Sequence, residues 1–273
     1  MNYRHSFHAG SFADVVKHAI LCAIFSSLKQ KDKPFCFIDA FAGLGMYDLT
    51  SNESHRSPEY LTGVALALQQ QPIPASLKDY VNLINSCQTQ PILHAYPGSP
   101  EIAKRLLRSE DDIILNELHD EDHQLLLARY SRDRQVHIHH RDAYELLPAI
   151  LPPKIRRGLI FIDPPFESTN EFEKLTQLVA SAYQRFPQGI YAVWYPIKTK
   201  QHEAFLRRAQ KDYDKLLIAE LTINDSLYGT HGLIGTGMLI INPPYQIETT
   251  IKTILHDCWQ LFSKDQLGSY RAS

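Results

Sequence analysis

Paired cysteines, long apolar runs and a surplus of either charge are all missing from this 273-residue sequence, and each absence closes off a class of protein. The four cysteines, Cys22, Cys36, Cys87 and Cys258, lie far apart with no C-x-x-C spacing, which excludes a dense disulfide framework. The N-terminus lacks the charged-then-apolar pattern of a secretory leader, so a reduced, cytoplasmic protein is expected. No apolar run approaches the ~20 residues a membrane span needs. A formal net charge of −2 argues against a sequence-blind nucleic-acid binder held mainly by counterion release. Local Lys and Arg clusters, such as Lys29, Lys31 and Lys33 or Lys198 and Lys200, read most simply as solvated faces. There is no G-x-S-x-G elbow and no P-loop, so hydrolase and kinase chemistry has no residue support.

What the chain does have is alternation. Short apolar, β-branched runs alternate with amphipathic stretches, which predicts βα units and a parallel sheet. Seven strands are expected, at 35–40, 113–118, 135–140, 158–163, 189–195, 215–223 and 237–242. The last two are joined by a Gly-rich stretch rather than a helix and should form an antiparallel edge pair. Before the first strand, Ser11 can cap a helix running to about Lys29, with Val15, Ala19, Cys22 and Ala23 on its apolar face. Residues 50–110 hold more chain than one βα connection needs. Within them Ser57-Pro58-Glu59 and Ser99-Pro100-Glu101 each read as a helix start with Ser at the N-cap and Pro at the first helical position. The expected organisation is an N-terminal motif and first part of the core over 1–49, an inserted helical subdomain over 50–95 and the rest of the core over 96–273. Five crossover strands followed by a hairpin make an α/β, Rossmann-like methyltransferase of class I.

The chemistry collects at strand ends. The first strand runs into Asp39-Ala40-Phe41-Ala42-Gly43-Leu44-Gly45, where small residues let a cofactor approach the backbone. A dinucleotide fingerprint would need a third glycine at 48, where Asp48 stands, so the turn favours S-adenosylmethionine over NAD. Glu117 closes the second strand and Asp142 follows the third; in that order they suit the ribose and adenine of such a cofactor, and each alone reads equally well as a helix-capping carboxylate. Asp163-Pro164-Pro165-Phe166 follows the fourth strand. An exocyclic adenine amine is a poor nucleophile because its lone pair is delocalised, so both of its N–H groups need acceptors. Asp163 and the Pro164 carbonyl can supply them, and Phe166 can stack on a flipped base. Asn242-Pro243-Pro244-Tyr245 matches the same pattern but follows an antiparallel strand, whose end faces the other edge of the sheet, so a structural role is expected. His119-Asp120-Glu121-Asp122-His123 has histidines at i and i+4 but Asp120 where the zincin pattern puts Glu, and on the strand His137 and His139 share a face while His140 points away, so no metal is expected. Tyr3-Arg4-His5-Ser6-Phe7-His8 is rich in groups that stack and donate; it can bind a base and a phosphate, or pack a chain end.

Residues 3–10 with Ala13-Asp14-Val15 and Lys17-His18, the 39–45 turn, Tyr96-Pro97-Gly98-Ser99-Pro100, the Asp163 tetrad, Trp194-Tyr195-Pro196 and Gly237-Met238 leading to Asn242-Pro243-Pro244 together resemble the bacterial 23S rRNA adenine-N6 methyltransferases of the J type, nearly end to end and in order. The resemblance implies a monomeric enzyme that uses S-adenosylmethionine to methylate one adenine of 23S rRNA, with Asp163 as catalytic acceptor, Pro164 and Phe166 beside it, and Tyr3 touching substrate. It places His18, Ser99, Glu117, Asp142 and Ala143 around the cofactor; Lys17, Asp39, Phe41 and Gly43 are further candidates there, while Arg4, His5, Phe166 and Lys198 are the further candidate RNA contacts. Ser99 also has a physical reason, since a helix N-terminus can hold a carboxylate. Phe41 stands where relatives can carry a cofactor-touching histidine, which replaces a polar contact by packing, and Ala143 stands where a Gly can occur. Protein-poor RNA is the expected substrate, because a flipped base is hard to reach in an assembled subunit. The alternatives are a DNA adenine-N6 or protein glutamine-N5 methyltransferase, and a retired Rossmann-like RNA-binding protein.

Overall fold

Ser11 accepts the Asp14 amide and caps α1 (Phe12–Lys29), the helix that the sequence predicts. The structure is a computed structural model and describes residues 7–227 and 232–273. Helix α1 is buried nearly all round, not on one face, because the sheet, the inserted segment and the last helix all pack against it. The chain continues through β1 (Cys36–Asp39) and β2 (Met46–Asp48) into α2 (Asn52–Arg56), α3 (Val64–Gln69) and α4 (Lys78–Ser86). It returns by β3 (Ala95–Pro97) and α5 (Ser99–Leu106) to alternating β4 (Asp112–Asn116), α6 (Asp120–Tyr130), β5 (Val136–His139), α7 (Ala143–Ile150), β6 (Gly158–Ile162), α8 (Glu171–Arg185), β7 (Ile190–Ile197) and α9 (Gln201–Asp212). Strands β8 (Leu216–Thr222) and β9 (Gly235–Ile241), helix α10 (Ile247–Phe262) and β10 (Tyr270–Ala272) complete it.

The main sheet has the order β10-β8-β9-β7-β6-β1-β4-β5. Strands β5, β4, β1, β6 and β7 are parallel, whereas β9 runs antiparallel to both β7 and β8. The central strands are buried on both faces and so read as unbroken apolar runs. Their alternate residues separate two cores: Phe37, Ile113, Leu159 and Phe161 face α1, α5, α6 and α10, while Ile38, Ile160 and Ile162 face α7, α8 and α9.

Three expectations are corrected. The sheet has eight strands rather than seven, since Tyr270–Ala272 adds an antiparallel edge to β8, fastened by Arg271 Nε to Glu220 Oε2 at 2.5 Å. Three residues carry too little alternation to be read as a strand. Ser57 does not cap an α-helix: it ends α2, and Glu59–Leu61 after it is a single 3-10 turn. Ser99 is the first residue of α5 with Gly98 before it, one position from the expected register.

Residues 46–48 and 95–97 pair as an antiparallel ribbon, Tyr47 opposite Tyr96, so β2 and β3 close the two ends of the inserted segment. Its apolar side chains, Val64, Leu77, Tyr80 and Ile84 among them, join the same core as α1 and α10.

Candidate functional site

Parallel strands deliver their C-terminal ends to one edge of a sheet, and a reversal of strand order there opens a crevice. The ends of β1, β4, β5 and β6 meet in this way around a cavity of about 500 Å³, within the usual range for a small ligand. Its wall includes Gly43, Glu117, Asp142, Ala143 and Asp163 from those strand ends, Lys17 and His18 from α1, and Ser99 from α5. Phe41, Pro164, Phe166 and Lys198 also line it. Tyr3, Arg4 and His5 lie outside the described residues.

On one side stands a buried cluster of three charges. Lys17 Nζ lies 2.8 Å from Asp14 Oδ1 and 2.5 Å from Asp163 Oδ2, with Lys17 and Asp14 almost wholly buried. Burial opposes the charge on Lys17, but the two carboxylates outweigh it and raise its pKa above the ordinary lysine value. The ammonium also sits 5.4 Å above the Trp194 ring. Asp14 Oδ2 accepts the Gly10 amide at 2.9 Å, so the same carboxylate fixes both Lys17 and the turn before α1. Phe166, at a φ of 51°, packs its ring against Phe172 and edge-on to Trp194. That positive φ is costly for a residue with a Cβ and is the kind of local strain that clusters at functional turns.

On the other side the backbone of the glycine turn is held open. Glu117 Oε2 accepts the Gly43 amide at 2.7 Å and its Oε1 accepts the His119 amide at 2.7 Å. Burial raises the Glu117 pKa against the lowering effect of these two amides. Gly43 has a φ of 63°, and a Cβ there would meet the Tyr47 hydroxyl at 2.4 Å, so the turn requires glycine. Asp142 caps α7 by accepting the Tyr144 amide at 2.8 Å; the capping reading of this acid is therefore realised, with the side chain still in the cavity wall. His18 is buried, its Nδ1 2.7 Å from the Tyr96 hydroxyl. Phe41 packs edge-on against Tyr144.

Asp39 differs from the other strand-end acids. It is fully buried and does not line the cavity. Its Oδ1 accepts the Phe41 amide at 3.3 Å, and Oδ2 has no hydrogen-bond partner among the described residues. Burial pushes its carboxyl up to about 7, with Ser99 acting in the opposite direction. Among the described residues no group of three His, Cys, Asp or Glu side chains converges as a metal site.

Sequence reasoning passed over Asp14 as a cavity residue, along with Glu59, which pairs with His8 at the rim, and Glu171, bonded to Tyr144. Asp14 and Lys17 were legible, because opposite charges one turn apart in an otherwise apolar helix need a reason to be there. Glu59 reads locally only as the acid of the Ser57-Pro58-Glu59 start, and its pairing with His8, 51 positions away, leaves no local trace.

A Rossmann-like sheet with a reversed β9, and strand-end carboxylates around a glycine turn at its C-terminal edge, define a class I S-adenosylmethionine methyltransferase. The chain belongs to the family described as Ribosomal RNA large subunit methyltransferase D, RlmJ, whose model matches residues 32–272. Ribosomal RNA large subunit methyltransferase J of Escherichia coli (strain K12) is 41% identical over 261 residues, covering 93% of this chain and 91% of the relative. The protein of the same description from Haemophilus influenzae is 38% identical over 273 residues, covering 99% and 97%. Among solved structures, protein LPL1258 of Legionella pneumophila str. Philadelphia 1 is similar with a TM-score of 0.91 at 35% identity, covering 97% of this chain and 98% of that one.

Proposed function

We propose that this enzyme methylates the N6 amino group of one adenine in 23S rRNA, with the base flipped onto Asp163-Pro164-Pro165-Phe166 beside bound S-adenosylmethionine. The observation that carries the reading is the placement of that tetrad at the end of β6, in the cavity that also holds the Gly43 turn and Glu117. The rival tetrad stands elsewhere: Asn242 Nδ2 donates to the carbonyls of Pro187 and Gly189, at the start of β7 on the opposite edge. As a member of an rRNA methyltransferase family the chain is an enzyme acting on rRNA, which displaces the DNA, glutamine and retired-binder alternatives.

The residues present fit the cofactor. The Gly43 turn is a cradle that a Cβ would fill, since one built there would fall 2.4 Å from the Tyr47 hydroxyl, and it opens onto the cavity beside Glu117. In this reading Gly43 gives the close backbone approach, the Ser99 end of α5 receives a carboxylate, and Glu117, Asp142 and Ala143 border the nucleoside, with His18, Lys17 and Phe41 completing the wall. Bound S-adenosylmethionine supplies an electrophilic sulfonium methyl.

Lys17 holds one oxygen of Asp163, and the other oxygen, together with the Pro164 carbonyl, accepts the two N–H groups of the adenine amine. That orients the nitrogen lone pair and favours the positive charge that develops on it, a contribution of position and electrostatics. Phe166, braced by Phe172 and Trp194, gives the base an aromatic surface. Lys198, exposed at the rim, suits an RNA phosphate, as do Tyr3, Arg4 and His5 for base and backbone. In this reading the enzyme acts as a monomer, and an rRNA substrate goes with a cytoplasmic enzyme.

The test is methyl incorporation, side by side, into protein-free 23S rRNA, intact large subunits and duplex DNA. The reading expects incorporation into protein-free RNA well above the other two; equal rates on naked RNA and intact subunits would remove the preference for protein-poor RNA.

A further inference from the structure

His8 and Glu59 meet at the cavity rim, and the chemistry above uses neither. His8 Nδ1 lies 2.7 Å from Glu59 Oε1, and the Ser57 hydroxyl donates to the same oxygen at 3.3 Å. Glu59 belongs to the inserted segment, whereas His8 belongs to the stretch that leads into α1. The two segments touch again two residues further on, where the Val64 amide donates to the Gly10 carbonyl at 2.8 Å. Glycine is required at that contact, since a Cβ on Gly63 would lie 2.1 Å from the Gly10 oxygen and 2.5 Å from the Ser11 carbonyl carbon. The insertion therefore grips the chain at two points just before Ser11. Tyr3 precedes His8 by five positions in the sequence, a covalent tether of at most ~18 Å, so the point at which His8 is held is the point to which that stretch is tied.

We propose that Glu59 is a positioning residue: by holding His8 at the rim it sets where the N-terminal segment begins, and so makes the inserted segment a working part of RNA recognition. The proposal rests on the reading of Tyr3, Arg4 and His5 as substrate contacts. It requires nothing of the methyl-transfer chemistry itself. Among the described residues the charged groups facing His8 are Glu59 from the insertion, Asp14 from α1 and Lys198 after β7; the hydrogen bond to Glu59 foremost raises the His8 pKa against burial, Asp14 adds to this and Lys198 opposes it.

The experiment compares the full-length enzyme with Glu59→Ala and Glu59→Gln. Three readings are taken: KM and kcat on protein-free 23S rRNA across pH 6 to 9, calorimetric titration with S-adenosylmethionine, and amide exchange over residues 8–16. Glu59→Ala is expected to raise the RNA KM about fivefold at pH 6, the scale of a partly exposed ion pair, with kcat and cofactor affinity kept and faster exchange near Gly10. In the unmodified enzyme the RNA KM should rise with pH as His8 loses its proton. Glu59→Gln keeps an acceptor for a neutral imidazole, so it should flatten that profile and match the unmodified enzyme only at high pH. An unchanged KM with unchanged exchange in Glu59→Ala overturns the proposal, as does an equal fall in kcat and cofactor affinity. If no enzyme form methylates rRNA, the substrate reading fails, and the exchange comparison alone still decides whether Glu59 holds the segment.

Discussion

Asp163 answers to two partners, the Lys17 ammonium in the free enzyme and the adenine amine in the proposed complex, and its substitution should separate chemistry from binding. Asp163→Asn keeps an acceptor oxygen but removes the charge opposite Lys17. Turnover on 23S rRNA should fall at least ~100-fold, the usual cost of a misplaced transition-state contact, while calorimetry finds cofactor affinity roughly kept. Loss of both together would mark Asp163 as structural. Asp39 makes a separate, pH-dependent prediction. Its folded pKa of about 7 lies above the ordinary 3.8, so the folded state holds the proton more tightly than the unfolded one. Its stabilising contribution is full below pH ~4 and is lost as the pH rises to ~7. The difference amounts to ~4 kcal/mol in principle. Asp39→Asn should therefore gain stability relative to the unmodified protein on going from pH 5 to pH 8, read from urea midpoints; a constant offset across that range would contradict the assignment.

At the scale of elements, Asn242-Pro243-Pro244-Tyr245 ends β9 and braces the far edge of the sheet. Asn242 takes a φ of 54°, which asparagine tolerates better than most residues, and its amide closes two backbone carbonyls. Asn242→Ala should cost about 1 kcal/mol in unfolding free energy by removing these partly exposed hydrogen bonds, with kcat unchanged; a large drop in kcat at native stability would revive this tetrad as a site. The same contrast shows what a sequence can disclose. Strands such as Gly158–Ile162 are legible because burial on both faces makes them continuously apolar, and the order of parallel strands then brings Glu117, Asp142 and Asp163 to one edge. Contacts between distant segments leave no such trace. The β2–β3 ribbon joins residues nearly fifty positions apart, Lys17 meets Asp163 across 146, and β10 is too short for a pattern. Helix starts were readable to within a residue or a turn type: Gly98 precedes Ser99, and Ser57 leads into a 3-10 turn, because local capping chemistry competes with the tertiary packing that fixes the final register.

At the scale of the whole molecule, α1 binds the parts together: the sheet lies on one side of it, the insertion and α10 on others, and its buried Asp14 and Lys17 reach the end of β6. The cavity is thereby walled by the stretch before α1, by α1 itself, by the insertion through Glu59 and by strand ends and helices of the core. None of these alone specifies the acceptor atom. The central claim, methyl transfer to the N6 amine of an adenine in 23S rRNA, is tested most directly by digesting protein-free 23S rRNA to nucleosides after reaction with labelled S-adenosylmethionine and identifying the labelled product. The account predicts a single labelled nucleoside, N6-methyladenosine, at no more than one per RNA molecule; label on a ring nitrogen, a ribose or another base would contradict it.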